Sequence, residues 1–164
     1  MFQRVTVALD GSALGETVLP WVRQLLGEGS VKVWLVHAVA PEAEWVWGYA
    51  ALGQPMPLPR PHAENYDSLA RGYLDRVAAS LAAGERVRPI VREGEPAAVI
   101  VRAAQETDAQ LIAMSTHGRT GLGRLLLGSV ADQVLRSSGR PVLLIRPDQA
   151  ALQAAEQAHN APDR

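Results

Sequence analysis

The chain reads as an α/β protein built on one open, five-stranded parallel sheet with helices on both faces. Three observations carry this. Five short apolar runs alternate along the 164 residues with four segments whose apolar residues recur at helical spacing. The first of these runs is continuous and rich in β-branched residues, the pattern of a parallel strand buried on both sides. The stretch from 111 to 145, LIAMSTHGRTGLGRLLLGSVADQVLRSSGRPVLLI, runs strand, glycine-rich loop, helix start, strand. That order builds a phosphate-binding turn in an open α/β sheet.

Residues 5–9 form the first strand, and Asp10-Gly11-Ser12 ends it. Ser12 caps a helix whose apolar face is Leu14, Val18, Trp21, Val22 and Leu25, stopped by Gly27 and Gly29. Asp10 therefore stands at the carboxyl end of the strand, where such sheets bind ligands, or it hydrogen-bonds its own turn. Residues 31–39 form the second strand, with Trp34, Leu35 and Val36 buried and His37 a core or rim histidine. Residues 40–63 carry Pro41, Pro55, Pro57, Pro59 and Pro61 among Trp45, Trp47 and Tyr49. So long a proline-rich connection is unusual in a compact domain. It reads as a lid, a partner surface, a mobile loop, or aromatics folded back onto their own domain. Tyr66, Ala70, Tyr73, Val77 and Leu81 mark the second helix, ended by Gly84. Residues 86–91 alternate polar and apolar and contain Pro89, an edge-strand pattern. Gly94-Glu95-Pro96 opens the third helix, with Val99, Ile100, Ala103 and Ala104 on its buried face. Residues 111–114 and 141–145 are the fourth and fifth strands. An exposed apolar edge strand such as the fifth invites pairing with another chain. The Ala-, Gln- and Glu-rich tail, 148–164, is suited to a short helix with a frayed end.

The glycine-rich loop carries the chemistry. Gly118 permits close backbone approach or positive φ, and Gly121 and Gly123 keep the loop pliable. Gly128 leaves room for an anion over the next helix N-terminus. Ser129 reads as its N-cap, and Ser129-Val130-Ala131-Asp132 as a capping box. The first free N–H groups, the Ser129 hydroxyl, Arg119 and Arg124 together favour a polyanion. Loops of this composition also occur where nothing binds.

The spacing is more specific. Ser115-Thr116-His117-Gly118, nine residues, then Gly128-Ser129 resembles the nucleotide-binding signature of the universal stress protein family: glycine, two residues, glycine, nine residues, then glycine with Ser or Thr. VTVALDGS at 5–12 resembles that family's first strand and turn, and GEPAAVI at 94–100 its third-helix entry. The resemblance covers roughly residues 2 to 147, with one departure: Ser115 stands where the signature has its first glycine. The resemblance implies the adenine nucleotide alpha hydrolase-like fold with strand order 3-2-1-4-5, which brings Asp10 and the Ser115–Gly118 turn to one crevice. It implies ATP as ligand. Adenine would lie by Ala8, Leu9 and Ala38, and ribose by Asp10 and Ser115, with Met114 also among the nucleotide-binding residues. The phosphates would meet Gly118, Arg119, Gly128, Ser129 and the N–H of Val130, with His117 bonding a phosphate or shaping the loop. A magnesium ion near Asp10 would accompany a triphosphate. It also implies a homodimer through Val142–Ile145.

Composition sets the limits. Length favours one domain, residues 1–147, followed by the tail. Apolar residues make up 48%, enough for a core, and the formal net charge of −1 gives no electrostatic argument for nucleic acid or an anionic membrane. The absence of cysteine excludes disulfides, thiolate catalysis and zinc-thiolate sites. Without a signal-like apolar core near Met1 or a run approaching ~18 apolar residues, the expected location is cytoplasmic. There is no Gly-Lys-Ser or Gly-Lys-Thr, no paired histidines at metal-ligand spacing, and no nucleophile elbow. Three functions remain: an ATP-binding module in stress response, a dimeric scaffold of the same fold acting through protein partners, and a slow ATP hydrolase.

Overall fold

The computed structural model describes residues 2–27, 29–39, 63–116 and 128–159. Strands β1 (Arg4–Ala8), β2 (Lys32–Val39), β3 (Val87–Glu93), β4 (Leu111–Ser115) and β5 (Val142–Ile145) pair in parallel in the order β3-β2-β1-β4-β5. This is the expected topology, with β3 and β5 at the edges. The helices are α1 (Ala13–Glu16), α2 (Leu19–Gly27), α3 (Ala63–Ser80), α4 (Pro96–Glu106), α5 (Ser129–Ser137) and α6 (Gln149–His159).

The two-residue period of the strands sorts the core into two layers. Val5, Val7, Leu9, Val33 and Leu35 face α2 and α3, where they pack with Val18, Val22, Leu26, Leu74 and Val77. Ala8, Val36, Ile112 and Met114 face α4 and α5, packing with Ile100, Ala103, Ala104, Ala131 and Val134. The alanines of α4 are small because this helix lies close over the centre of the sheet.

The helix expected after β1 is two helices. Pro20 has no N–H to offer the Glu16 carbonyl, so the ladder breaks at residues 17–18 and restarts as α2. The restart turns Trp21, expected on the buried face, out to 48% exposure. Trp34, on β2, is half-buried rather than buried. The tail forms α6, which packs against α1. The proline-rich segment, save its last residue at the start of α3, lies outside the described residues.

The amino end of the sheet is closed by its own polar groups. Arg4 donates to the Asp108 carboxylate and carbonyl, both at 2.7 Å. The Gln110 side-chain oxygen accepts from the amides of Gln3 and Arg4 at 2.7 and 3.3 Å. Arg140 donates to the Ala109 carbonyl. The carboxyl end is where groups are left open.

Candidate functional site

At the carboxyl end, β1 and β4 lie side by side while their connections leave in opposite directions, which opens a crevice at the switch point. A cavity of about 210 Å³ occupies it. Its floor is apolar: Ala8, Val36, Ala38, Ile100 and Met114. Its rim is polar: Asp10, Ser115, Thr116 and the start of α5.

The Asp10 turn is built by short-range bonds. Asp10 Oδ1 accepts from the Ser12 amide at 3.0 Å and the Ser12 hydroxyl at 2.6 Å. Ser12 Oγ then accepts from the Gly15 amide at 3.0 Å, capping α1 as expected. Gly11 holds φ +79°, which suits glycine. Gly15 is required for another reason: a Cβ there would stand 2.3 Å from Asp10 Oδ1. The turn reading of Asp10 is the one the hydrogen bonds show. Asp10 organises its turn through one oxygen and lines the cavity, and the second oxygen takes part in none of these bonds.

Across the crevice, α5 starts differently from expectation. Its N-cap is Gly128, Ser129 is the first helical residue, and no side chain caps the turn. The capping box does not form, because Asp132 turns to Arg136 one turn on, at 2.9 Å. The first amide with an acceptor is that of Asp132, which bonds the Gly128 carbonyl at 2.9 Å. The amides of Ser129, Val130 and Ala131 have no acceptor among the described residues, and all three residues line the cavity. The helix dipole adds about half a positive charge at this point. The Gly128 amide itself donates to the Thr116 hydroxyl at 3.3 Å, which fastens the loop's far end to β4.

Of the residues expected at a site, Ala8, Leu9, Asp10, Ala38, Met114, Ser115, Gly128, Ser129 and Val130 line this one cavity. His117, Gly118 and Arg119 lie outside the described residues. Sequence reasoning missed Gly15, Val36, Pro96, Ile100, Thr116 and Ala131. Val36 and Ile100 share the sheet-face and helix-face periodicity of Ala38 and Pro96, a signal that was there to be used. Gly15 gives no local cue, since only the folded-back Asp10 side chain explains it.

His37 is turned to the opposite face. Its Nδ1 carries the hydrogen and donates to the Leu9 carbonyl at 3.0 Å, because a carbonyl can only accept. Its ring meets Tyr73 edge-on at 6.1 Å. Burial holds the Tyr73 hydroxyl well above the usual phenol range, and the charges of Glu16 and Asp10 add to this. Among the described residues no group of three or more His, Cys, Asp or Glu side chains could hold a metal, and no helix is long and apolar enough to cross a membrane.

A doubly wound α/β sheet with its crevice at the switch point, an acidic turn on one side and an uncapped helix on the other defines the class. The sequence profile of the universal stress protein family matches residues 1–146. The chain belongs to the universal stress protein family. A universal stress protein of Methanocaldococcus jannaschii is 44% identical over 63 residues, 38% of this chain and 37% of that protein. The shared segment thus spans little more than a third of that relative. One from Thermus aquaticus is 27% identical over 152 residues, 89% of this chain and 100% of that protein. Among solved structures, a hypothetical protein studied as a test case of structural genomics superimposes with TM-score 0.71 at 25% identity, covering 91% of this chain and 99% of that one. A universal stress protein in complex with cAMP gives 0.59 at 23% identity over 90% and 98%. An Arabidopsis thaliana family member with AMP bound gives 0.59 at 14% over 90% and 94%. These last two likenesses concern the fold.

Proposed function

We propose that the protein binds an adenine nucleotide, ATP in particular, in this crevice, and does so as a homodimer joined along β5. The observation that carries the reading is the uncapped start of α5. Three amides without acceptors among the described residues line a cavity whose opposite wall is an aspartate. A phosphate chain would satisfy those amides, and an adenine fits the apolar floor of Ala8, Val36, Ala38 and Met114. The ribose would lie between Asp10 and Ser115. Gly118, Arg119 and His117 would complete the phosphate end, as the signature implies. A divalent ion brought by a triphosphate would find a carboxylate oxygen at Asp10. Residues 1–147 would form the binding domain, and a cytoplasmic location goes with this reading. Family members of the same fold carry cAMP and AMP, which supports an adenine ligand while leaving the phosphate count to experiment. The edge position of β5, half-buried along its whole length, supports the dimer.

The test is the nucleotide content of freshly purified protein, followed by calorimetry with ATP, AMP and cAMP, and light scattering for mass. Saturable ATP binding, one nucleotide per chain, and a dimeric mass are expected. An empty protein that fails to bind any of the three at millimolar concentration would overturn the reading.

A further inference from the structure

Ser115 replaces a glycine of the signature, and its hydroxyl reaches the end of α1. Its backbone needs no glycine, for the only non-glycine residues with positive φ among those described are Ala82 and Asp108. Its hydroxyl lies 2.8 Å from the Thr17 hydroxyl and 3.2 Å from the Gly15 carbonyl. Counting hydrogens fixes the direction of these bonds. Thr17 Oγ1 donates its one hydrogen to the Leu14 carbonyl at 2.7 Å, so the single Ser115 hydrogen is shared between Thr17 Oγ1 and the Gly15 carbonyl. Thr17 is only 6% exposed, so the Ser115–Thr17 bond is shielded from competing water. Gly15 and Thr17 bracket the end of α1, the helix whose cap is Ser12 and whose glycine leaves room for Asp10 Oδ1.

We propose that Ser115 is a positioning residue for the nucleotide: its hydroxyl pins the end of α1 to the end of β4 and so sets Asp10 against the crevice. A glycine at this position has no donor, so here the extra side chain replaces backbone proximity with a bond. The proposal rests on the nucleotide reading above for its effect on affinity, while the pinning itself is a property of the protein without ligand.

Two measurements test it. The first is affinity for a fluorescent N-methylanthraniloyl ATP. Ser115→Ala, Ser115→Gly and Thr17→Val should each bind roughly 5-fold more weakly, the effect of losing one hydrogen bond. The double variant Ser115→Ala/Thr17→Val should bind no more weakly than about 10-fold, because both changes remove the same bond. Thr17→Ser, which keeps the hydroxyl, should stay within about 2-fold of the parent. The second is amide hydrogen exchange in nucleotide-free protein. Residues 11–17 should exchange several-fold faster in Ser115→Gly, with β1 and β2 unchanged. Ser115→Gly with parental affinity and parental exchange overturns the proposal, as does full additivity of the two single changes. A parent protein that does not bind the analogue sinks the nucleotide reading instead, and exchange at 11–17 then decides whether Ser115 pins α1.

Discussion

Helices α4 and α5 lie together on one face of the sheet, and both begin at the crevice, yet their first turns are finished in opposite ways. At α4, Glu95 is the N-cap and uses both carboxylate oxygens, one on the Ala97 amide at 3.1 Å and one on the Ala98 amide at 2.8 Å. Pro96, at the first position, has no amide to satisfy. That helix carries its own anion. At α5 the N-cap is Gly128, which has no side chain to offer, and the one carboxylate of the first turn, Asp132, is bonded to Arg136. Among the described residues the same fold therefore closes one helix with a carboxylate and leaves its neighbour open. The open amides of α5 are where the proposed phosphate chain would bind.

The strongest way to break this comparison is to make α5 resemble α4. Gly128 has φ −59° and ψ 156°, a conformation open to any residue, so Gly128→Asp needs no backbone change. The new carboxylate would cap the free amides and repel phosphate. ATP affinity measured by calorimetry should fall at least about 30-fold, some 2 kcal/mol. The melting temperature without ligand should hold or rise by about 3 °C, the value of a new N-cap in a chain of this size. Weaker binding together with greater stability distinguishes an occupied site from a damaged fold.

A second change acts on the facing wall. Gly15→Ala places a Cβ against Asp10 Oδ1 and forces the carboxylate out of its turn. Loss of the Asp10–Ser12 bonds should cost about 1–2 kcal/mol in urea denaturation, and ATP affinity should fall about 10-fold. Asp10→Asn in the same background should add little, because the side chain has already been displaced.

Glu95→Ala sharpens the comparison from the other side. It removes the cap of α4 and should cost about 1 kcal/mol of stability, with ATP affinity within about 2-fold of the parent. A large loss of affinity here would mean that both helix starts serve the ligand.

How much of this was legible in the sequence depends on what each feature requires. The strands were legible because burial on both faces leaves an unbroken apolar run, as at Val5–Leu9. The strand order came with the family resemblance, and the register it produces puts Asp10 and Ser115 at one crevice. The helix after β1 was read as one because the apolar spacing of Leu14, Val18 and Val22 continues across the break. Pro20 was the overlooked signal, and it also explains why Trp21 faces solvent. Ser129 passed for an N-cap on residue type, but capping depends on which residue leaves the helical conformation, and Gly128 does so first. Ser115 reads only as a departure from the signature, because a sequence does not show which partners a side chain meets. Thr17 and Gly15, about 100 residues away in the chain, receive its hydrogen bonds.

The smallest expected effect belongs to a buried polar group on the opposite face. The Tyr73 hydroxyl is buried, and burial, the Glu16 carboxylate and the charge of Asp10 raise its pKa. Tyr73→Phe should lie within about 1 kcal/mol of the parent at pH 7. The pH dependence adds a sign. Folding raises the Tyr73 pKa, so the folded chain keeps its phenol proton where the unfolded chain gives it up. That contribution to stability is whole below about pH 10, the ordinary tyrosine value, and declines as pH rises beyond it. Urea denaturation of both proteins between pH 8 and 11 should therefore show the parent losing stability faster than Tyr73→Phe above about pH 10, with parallel curves below. Parallel curves throughout would place the Tyr73 hydroxyl in contact with water.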